Sequence, residues 1–200
     1  LHLCHHNLEN ISDYNSNAKH DLLAEVCMAA KYEANSINTH YTEHQQTNND
    51  SASQLCTVLA RSFADIGDIV RGKDLYLGNP QESTQRKKLE ENLQKIFKKI
   101  HEDVMKTNRK TNSAEARYGG DENYFQLRED WWTANRETVW KALTCHARDN
   151  DKYFRNTCSG GSRTKDYCRC DDKTIGAKGA KAGDVSIVPT YFDYVPQYLR

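Results

Sequence analysis

LCTVLARSFADIGDIVRGKDLYLG, residues 55–78, is the stretch whose pattern decides the fold. Leu55, Leu59, Phe63 and Ile66 step by four, four and three, with Val58, Ile69 and Val70 beside them. Side chains at that spacing share one side of an α-helix. Arg61, Asp65, Asp68 and Arg71 stand between the apolar positions, at offsets that let them pair along a neighbouring face. Cys56 lies near the start and Gly72 near the stop. The pattern predicts a central helix tied covalently to another element.

Working outward, a first helix is expected over 19–44, with Leu22, Val26, Ala30, Ile37 and Tyr41 on its buried side and Asn35 and Ser36 weakening its middle. The run TNNDSAS (47–53) is a turn that can cap the central helix. After the connector GKDLYLGN (72–79), Asn79-Pro80-Gln81-Glu82 reads as a capping box with proline in the first turn. The third helix should run to about Met105, with Leu89, Leu93, Ile96, Phe97, Ile100 and Val104 as its apolar stripe. Residues 107–122 read as a polar loop. A fourth helix is expected over 123–146, broken near Trp131, with Phe125, Trp132, Val139, Trp140 and Leu143 in the core. Residues 149–188 carry clustered glycines and three cysteines and read as irregular chain held by disulfides, with 176–184 as its disordered tip. VSIVPTYFDYVP (185–196) should pack back onto the helices, and VPQYLR (195–200) opens a further helix at Pro196.

Hydrophobic residues make up 37% of the 200, and mean hydropathy is -0.91, so a core needs concentrated apolar faces or cross-links. The seven cysteines are Cys4, Cys27, Cys56, Cys145, Cys158, Cys168 and Cys170. Their scattered spacing, without CxxC pairs, points to disulfides in an oxidising compartment rather than to zinc. Cys56 opens the second helix and Cys145 closes the fourth, so a Cys56–Cys145 bridge would join antiparallel helices at neighbouring ends. Pairing among Cys27, Cys158, Cys168 and Cys170 stays open, and Cys4 is expected to pair outside this stretch. Formal net charge is zero, which gives no argument for nucleic acid. LHLCHHNLEN (1–10) has no signal-peptide core, and no apolar run is long enough to span a bilayer. The chain reads as part of a larger extracellular protein.

Catalytic readings are weak. Asp65 and Asp68 could form an acid/base pair, but salt bridging to Arg61 and Arg71 explains them better. Cys145-His146 could be a thiol beside a base, but adjacent helical residues diverge. No cofactor or metal motif occurs. Trp131, Trp132 and Trp140 could stack on sugars, although helical spacing places at least two in the core.

ARSFADIGDIVRGKDLYLG (60–78), YFQLREDWWTANRETVWKALTC (124–145) and VPTYFDYVPQYLR (188–200), supported by CMAAKYE (27–33) and YFRNTC (153–158), resemble the Duffy-binding-like domain of the alpha class, found at the head of Plasmodium falciparum erythrocyte membrane protein 1. The resemblance covers nearly the whole chain. It implies a mainly α, disulfide-stabilised helical bundle with long irregular loops. Residues 1–200 would form one partial domain: about 1–50 the end of the first subdomain and the entry to the second, 51–200 the second, helical subdomain, and the third absent. It also implies an adhesion domain on the extracellular face of the infected erythrocyte, anchored by a downstream span. Such a domain binds host receptors or sulfated glycans, neighbours other domains of its chain, mediates cytoadherence or rosetting, varies antigenically and has no enzymatic activity or cofactor. The alternative is a structural spacer packed against a domain that does the binding. The family bridges the positions of Cys56 and Cys145.

One local feature supports ligand binding. Residues 86–110 hold nine cations against four carboxylates in a neutral chain. Lys88, Lys95, Lys99, Lys106 and Arg109 repeat at sevens, fours and threes, so several share a helix side. Lys87, Lys88, Lys95, Lys98, Lys99, Lys106, Arg109 and Lys110 are the candidate glycan-binding residues. The competing reading is an ordinary solvated face.

Overall fold

A computed structural model describes residues 18–48, 53–75, 78–107, 113–158, 161–170 and 187–200. Among them the chain forms α1 (Ala18–Asn48), α2 (Ser53–Arg71), α3 (Pro80–Thr107), α4 (Ser113–Tyr118) and α5 (Phe125–Leu143), then two 3₁₀ turns over Phe192–Tyr194 and Gln197–Leu199. The fold is mainly helical, as expected. Two expectations change. The loop over 107–122 contains the short α4, and α5 runs unbroken through Trp131. α1 also passes through Asn35 and Ser36 without a break, because Ala34 on the same turn is buried in the helix interface.

The apolar stripe of α2 is the centre. α2 packs on α1, on α5 and on the returning segment around Phe192–Tyr194. Phe63 is fully buried between Trp132 and Trp140, with ring centroids 5.1 Å away in both directions. Val58 and Phe125 depart from their expected core places, at 40% and 50% exposed. The modest hydrophobic content suffices because alanines line the helix contacts: Ala29, Ala30 and Ala34 of α1 and Ala60 and Ala64 of α2 are all buried. Small side chains let helix axes approach and fill space without voids. Gly67 extends the same logic. A Cβ there would lie 2.8 Å from Cζ2 of Trp132, so the indole packs directly on the α2 backbone.

α2 stops by a defined device. Gly72 has φ of 72°, its amide donates to the Ile69 carbonyl and the Lys73 amide donates to the Asp68 carbonyl. That is a Schellman ending, which needs a left-handed residue where glycine is least strained. α3 starts by the capping box read in the sequence. The Glu82 amide donates to Oδ1 of Asn79 at 2.9 Å, and the Asn79 amide donates to Glu82 at 3.2 Å.

The disulfides correct one expectation. Cys56 pairs with Cys168, and Cys158 with Cys170. Cys145 is an exposed free thiol and Cys27 a partly buried one. The end of α5 does lie near the start of α2, but Cys145 follows the last helical turn and faces solvent. Cys168 reaches Cys56 instead, because a tight turn with Tyr167 and Cys168 at φ of 55° and 56° folds beneath Trp140, whose indole N–H donates to the Cys168 carbonyl. The Cys56–Cys168 bridge spans 112 residues of chain, about 5 kcal/mol in the chain-entropy picture. Burial pushes the Cys27 thiol pKa up. Cys4, Arg109, Lys110 and the 176–184 tip lie outside the described residues.

Candidate binding surface

The helix signature of residues 60–78 turns out to hold a buried ionic frame. Arg71 is 2% exposed, donates to the Gly67 carbonyl and pairs with Asp68 at 3.0 Å. It also donates to the Asp193 carbonyl. Asp193 is fully buried and accepts from Arg136 at 2.9 Å and from the Trp132 indole at 3.0 Å. Arg200 pairs with both Asp65 and Asp68. Burial raises the Asp65 pKa, Arg200 opposes the rise, and Glu33 adds to it. Buried charges are tolerated only when paired and hydrogen-bonded, and here each is. Asp65 and Asp68 therefore clamp the returning segment 187–200 onto α2. Their partner is Arg200 as well as the expected Arg71, while Arg61 stays exposed.

Arg128 plays the same part at the same, C-terminal, end of α2. Its guanidinium donates to the carbonyls of Val70 and Ile69 and forks onto Glu90 of α3 at 2.5 and 2.9 Å. One side chain thus joins three helices. The tryptophans are equally committed. Trp131, Trp132 and Trp140 are 4%, 0% and 0% exposed, which removes them as a sugar platform. Cys145 and His146 are both exposed at the end of α5, and no group able to hold a metal occurs among the described residues.

What remains on the surface is α3. Leu89, Leu93, Ile96, Phe97 and Ile100 face inward. Lys87, Lys88, Lys95, Lys98, Lys99 and Lys106 are exposed. At about 100° per residue, Lys88, Lys95, Lys99 and Lys106 fall within roughly 40° of one another. Arg86 leaves the stripe and pairs with Asp74, and Glu90 is drawn inward by Arg128. Lys99 makes a loose 3.7 Å pair with Glu102. The stripe is longer than a single turn and flanked by Glu91 and Asp103, so its field is local and screened beyond about 10 Å.

A cavity of about 310 Å³ opens beside the start of α3, lined by Ile69, Gly72, Asp74, Arg86, Leu93 and Phe125 among others. The buried arginines were not legible as such in the sequence. A signal existed: Arg128, Trp132, Arg136 and Trp140 step by four, so the arginines occupy the apolar face of α5.

A family model, the Duffy binding domain, matches residues 1–200. Among solved structures the chain is similar to the NTS-DBL1(alpha-1) domain of Plasmodium falciparum membrane protein 1 (PfEMP1) from the varO strain. Identity is 41%, the match covers 99% of this chain and 40% of that one, and the TM-score is 0.73. It matches the varO NTS-DBL1-alpha and CIDR-gamma double domain at the same identity and TM-score, over 25% of that chain. It is also similar to an ICAM-1-binding PfEMP1 DBLbeta domain at 30% identity and TM-score 0.63, covering 97% of this chain and 38% of that one. The chain thus spans well under half the length of these relatives. No curated protein matches it.

Proposed function

Because this chain belongs to the Duffy binding domain family, we propose that it is part of a non-catalytic adhesion domain that binds host-cell surface receptors. One DBLbeta relative is described as bound to ICAM-1, which supports a receptor-binding role for the fold without naming the receptor of this chain. The proposed setting is the outer surface of the infected erythrocyte, with roles in cytoadherence or rosetting and in antigenic variation. Nothing in the described residues brings a nucleophile, base and pocket together. The acidic and cationic groups that share space are consumed in holding helices.

The observation that carries the ligand class is the exposed lysine stripe of α3. Sulfated glycans fit it, because multiple weak cation contacts release counterions and sum along a chain. Heparin-column retention tests this. The triple variant Lys95→Glu, Lys98→Glu, Lys99→Glu should elute at clearly lower salt than the parent protein. Unchanged retention would remove the stripe from the ligand site.

A second reading, a spacer packed against a neighbouring domain, is favoured by one corner. Leu75, Tyr198 and Leu199 are 65%, 76% and 67% exposed, and Gln197 ties them together by bonding the Leu75 amide and the Asp74 carboxylate. Such a patch suits a covering domain.

A further inference from the structure

The sequence pattern places Phe125 in the core, yet the structure holds it half exposed in a fixed position. Tyr124 before it stands at φ of 58°, an uncommon conformation for a bulky residue. The Tyr124 amide donates to the Asp121 carbonyl at 3.0 Å, and Oδ2 of Asp121 accepts from the Gln126 and Leu127 amides at 2.8 and 3.2 Å. The backbone on both sides of Phe125 is therefore pinned, and Phe125 borders the cavity of about 310 Å³ beside the start of α3. Ile69, Leu89 and Leu93 also line this cavity and are buried, which gives it an apolar wall. The charged groups around that wall are engaged with one another. Arg86 pairs with Asp74, which also accepts from Nε2 of Gln197 at 3.1 Å, and Glu90 accepts both prongs of Arg128. Oε2 of Glu82 accepts from the Asn79 amide at 3.2 Å.

We propose that this cavity docks one aromatic side chain with an N–H or O–H donor, tryptophan or tyrosine, carried on an uncharged loop of a receptor protein. Size fits one side chain, since ligand sites usually run from roughly 300 to 1,000 Å³ and this cavity lies at the small end. Charge selects a neutral occupant. The carboxylates of Asp74, Glu82 and Glu90 face the cations of Arg86 and Lys87 in the lining, and Arg128 behind Glu90 balances the set. A charged side chain would lose its hydration there without gaining a free counter-charge. A neutral N–H or O–H instead finds carboxylate oxygens, which accept more than one hydrogen bond. An aromatic ring is favoured over an aliphatic one by two groups. The Phe125 ring offers an edge or an offset face, and the Arg86 guanidinium offers a cation for a ring face. The bonds that fix Phe125, Asp74 and Glu90 leave little to order on binding, and rigid pockets filled by aromatic anchors dominate the energy of protein interfaces.

The inference rests on the receptor reading given above, and two measurements on the disulfide-intact protein separate them. The first follows backbone amide shifts by nuclear magnetic resonance during titration with N-acetyltryptophanamide, with N-acetylleucinamide as the aliphatic control. Saturable shifts are expected in residues 69–74 and 85–93 and at Phe125, at several-fold lower concentration for the tryptophan probe. Phe125→Ala should weaken binding of that probe several-fold. Gln85→Trp, at an exposed position on the cavity lining, should fill the mouth from within and weaken it further. Both variants replace exposed residues, and unchanged amide shifts away from the cavity check that each is folded. Shifts that do not saturate, that fall elsewhere, or that are matched by the leucine probe overturn the inference. The second measurement compares binding of the parent protein and both variants to human endothelial cells and uninfected erythrocytes. A several-fold loss in both variants is expected. Binding that both variants leave unchanged overturns the inference and leaves the receptor reading standing, whereas no binding by the parent protein overturns both.

Discussion

The Arg128 guanidinium, with no solvent exposure, donates from Nε to the Val70 carbonyl at 2.6 Å. A side chain from the start of α5 therefore completes the end of α2, where backbone carbonyls lack helical partners and the helix dipole is negative. The same guanidinium forks onto Glu90 and stacks over Phe97, 5.5 Å from its centroid.

Replacing Arg128 with methionine should therefore cost about 3 kcal/mol, since it removes the ion pair of Glu90 and strands the Val70 carbonyl at a packed junction. Arg128→Lys should recover only part of this, because an ammonium cannot reproduce the planar fork. Urea denaturation measures both. A loss below about 1 kcal/mol for the methionine variant would contradict the assigned role.

Glycine substitutions should separate two kinds of strain. Gly72→Ala places a Cβ at positive φ and 2.9 Å from the Arg128 guanidinium, so about 1–2 kcal/mol is expected from the backbone alone. Gly67→Ala meets Trp132 instead, and overpacking there should cost about 1–3 kcal/mol. Near-ultraviolet circular dichroism should change for Gly67→Ala, whose defect touches an indole.

Thiol chemistry should follow the observed pairing. Cys145→Ser should alter stability by less than about 0.5 kcal/mol and lower the free-thiol count by one. Cys168→Ser should release a reactive Cys56 thiol and cost about 3–5 kcal/mol. The reverse ranking would restore a Cys56–Cys145 bridge.

Asp130 gives a pH signature. Hydrogen bonds from Arg117, opposed by some burial and aided by Tyr118, lower its pKa to about 2. A carboxylate with a depressed folded pKa contributes stability that is fully present above its unfolded value near ~4 and lost as pH falls towards about 2. The pair is solvent-accessible, so the effect is small. Asp130→Asn should flatten the stability loss across that window, and an unchanged acid limb would show that the pair does not form in solution.

The helices were legible where periodicity and capping agreed. The apolar stripe and Asn79–Glu82 box of α3, and the stripe and Gly72 stop of α2, needed no tertiary information. α1 extended past the expected His44, and α5 kept its middle, because packing against neighbours outweighs local propensity. Arg71, Arg128 and Arg136 were harder to read, since a charged residue reads as surface until its carbonyl and carboxylate partners are placed. Cys168 was invisible as the partner of Cys56, because the turn at Tyr167 and Cys168 uses a conformation that side-chain type does not announce. The exposed lysines of α3 were legible, but the departure of Arg86 and Glu90 from that face was not.

The most direct measurement is a binding isotherm of the folded, disulfide-intact protein on human endothelial cells and uninfected erythrocytes, with and without enzymatic removal of surface sulfated glycans. The account predicts saturable binding that falls several-fold on glycan removal and in the Lys95→Glu, Lys98→Glu, Lys99→Glu variant. No saturable binding to either cell type, or binding that both treatments leave unchanged, would contradict it.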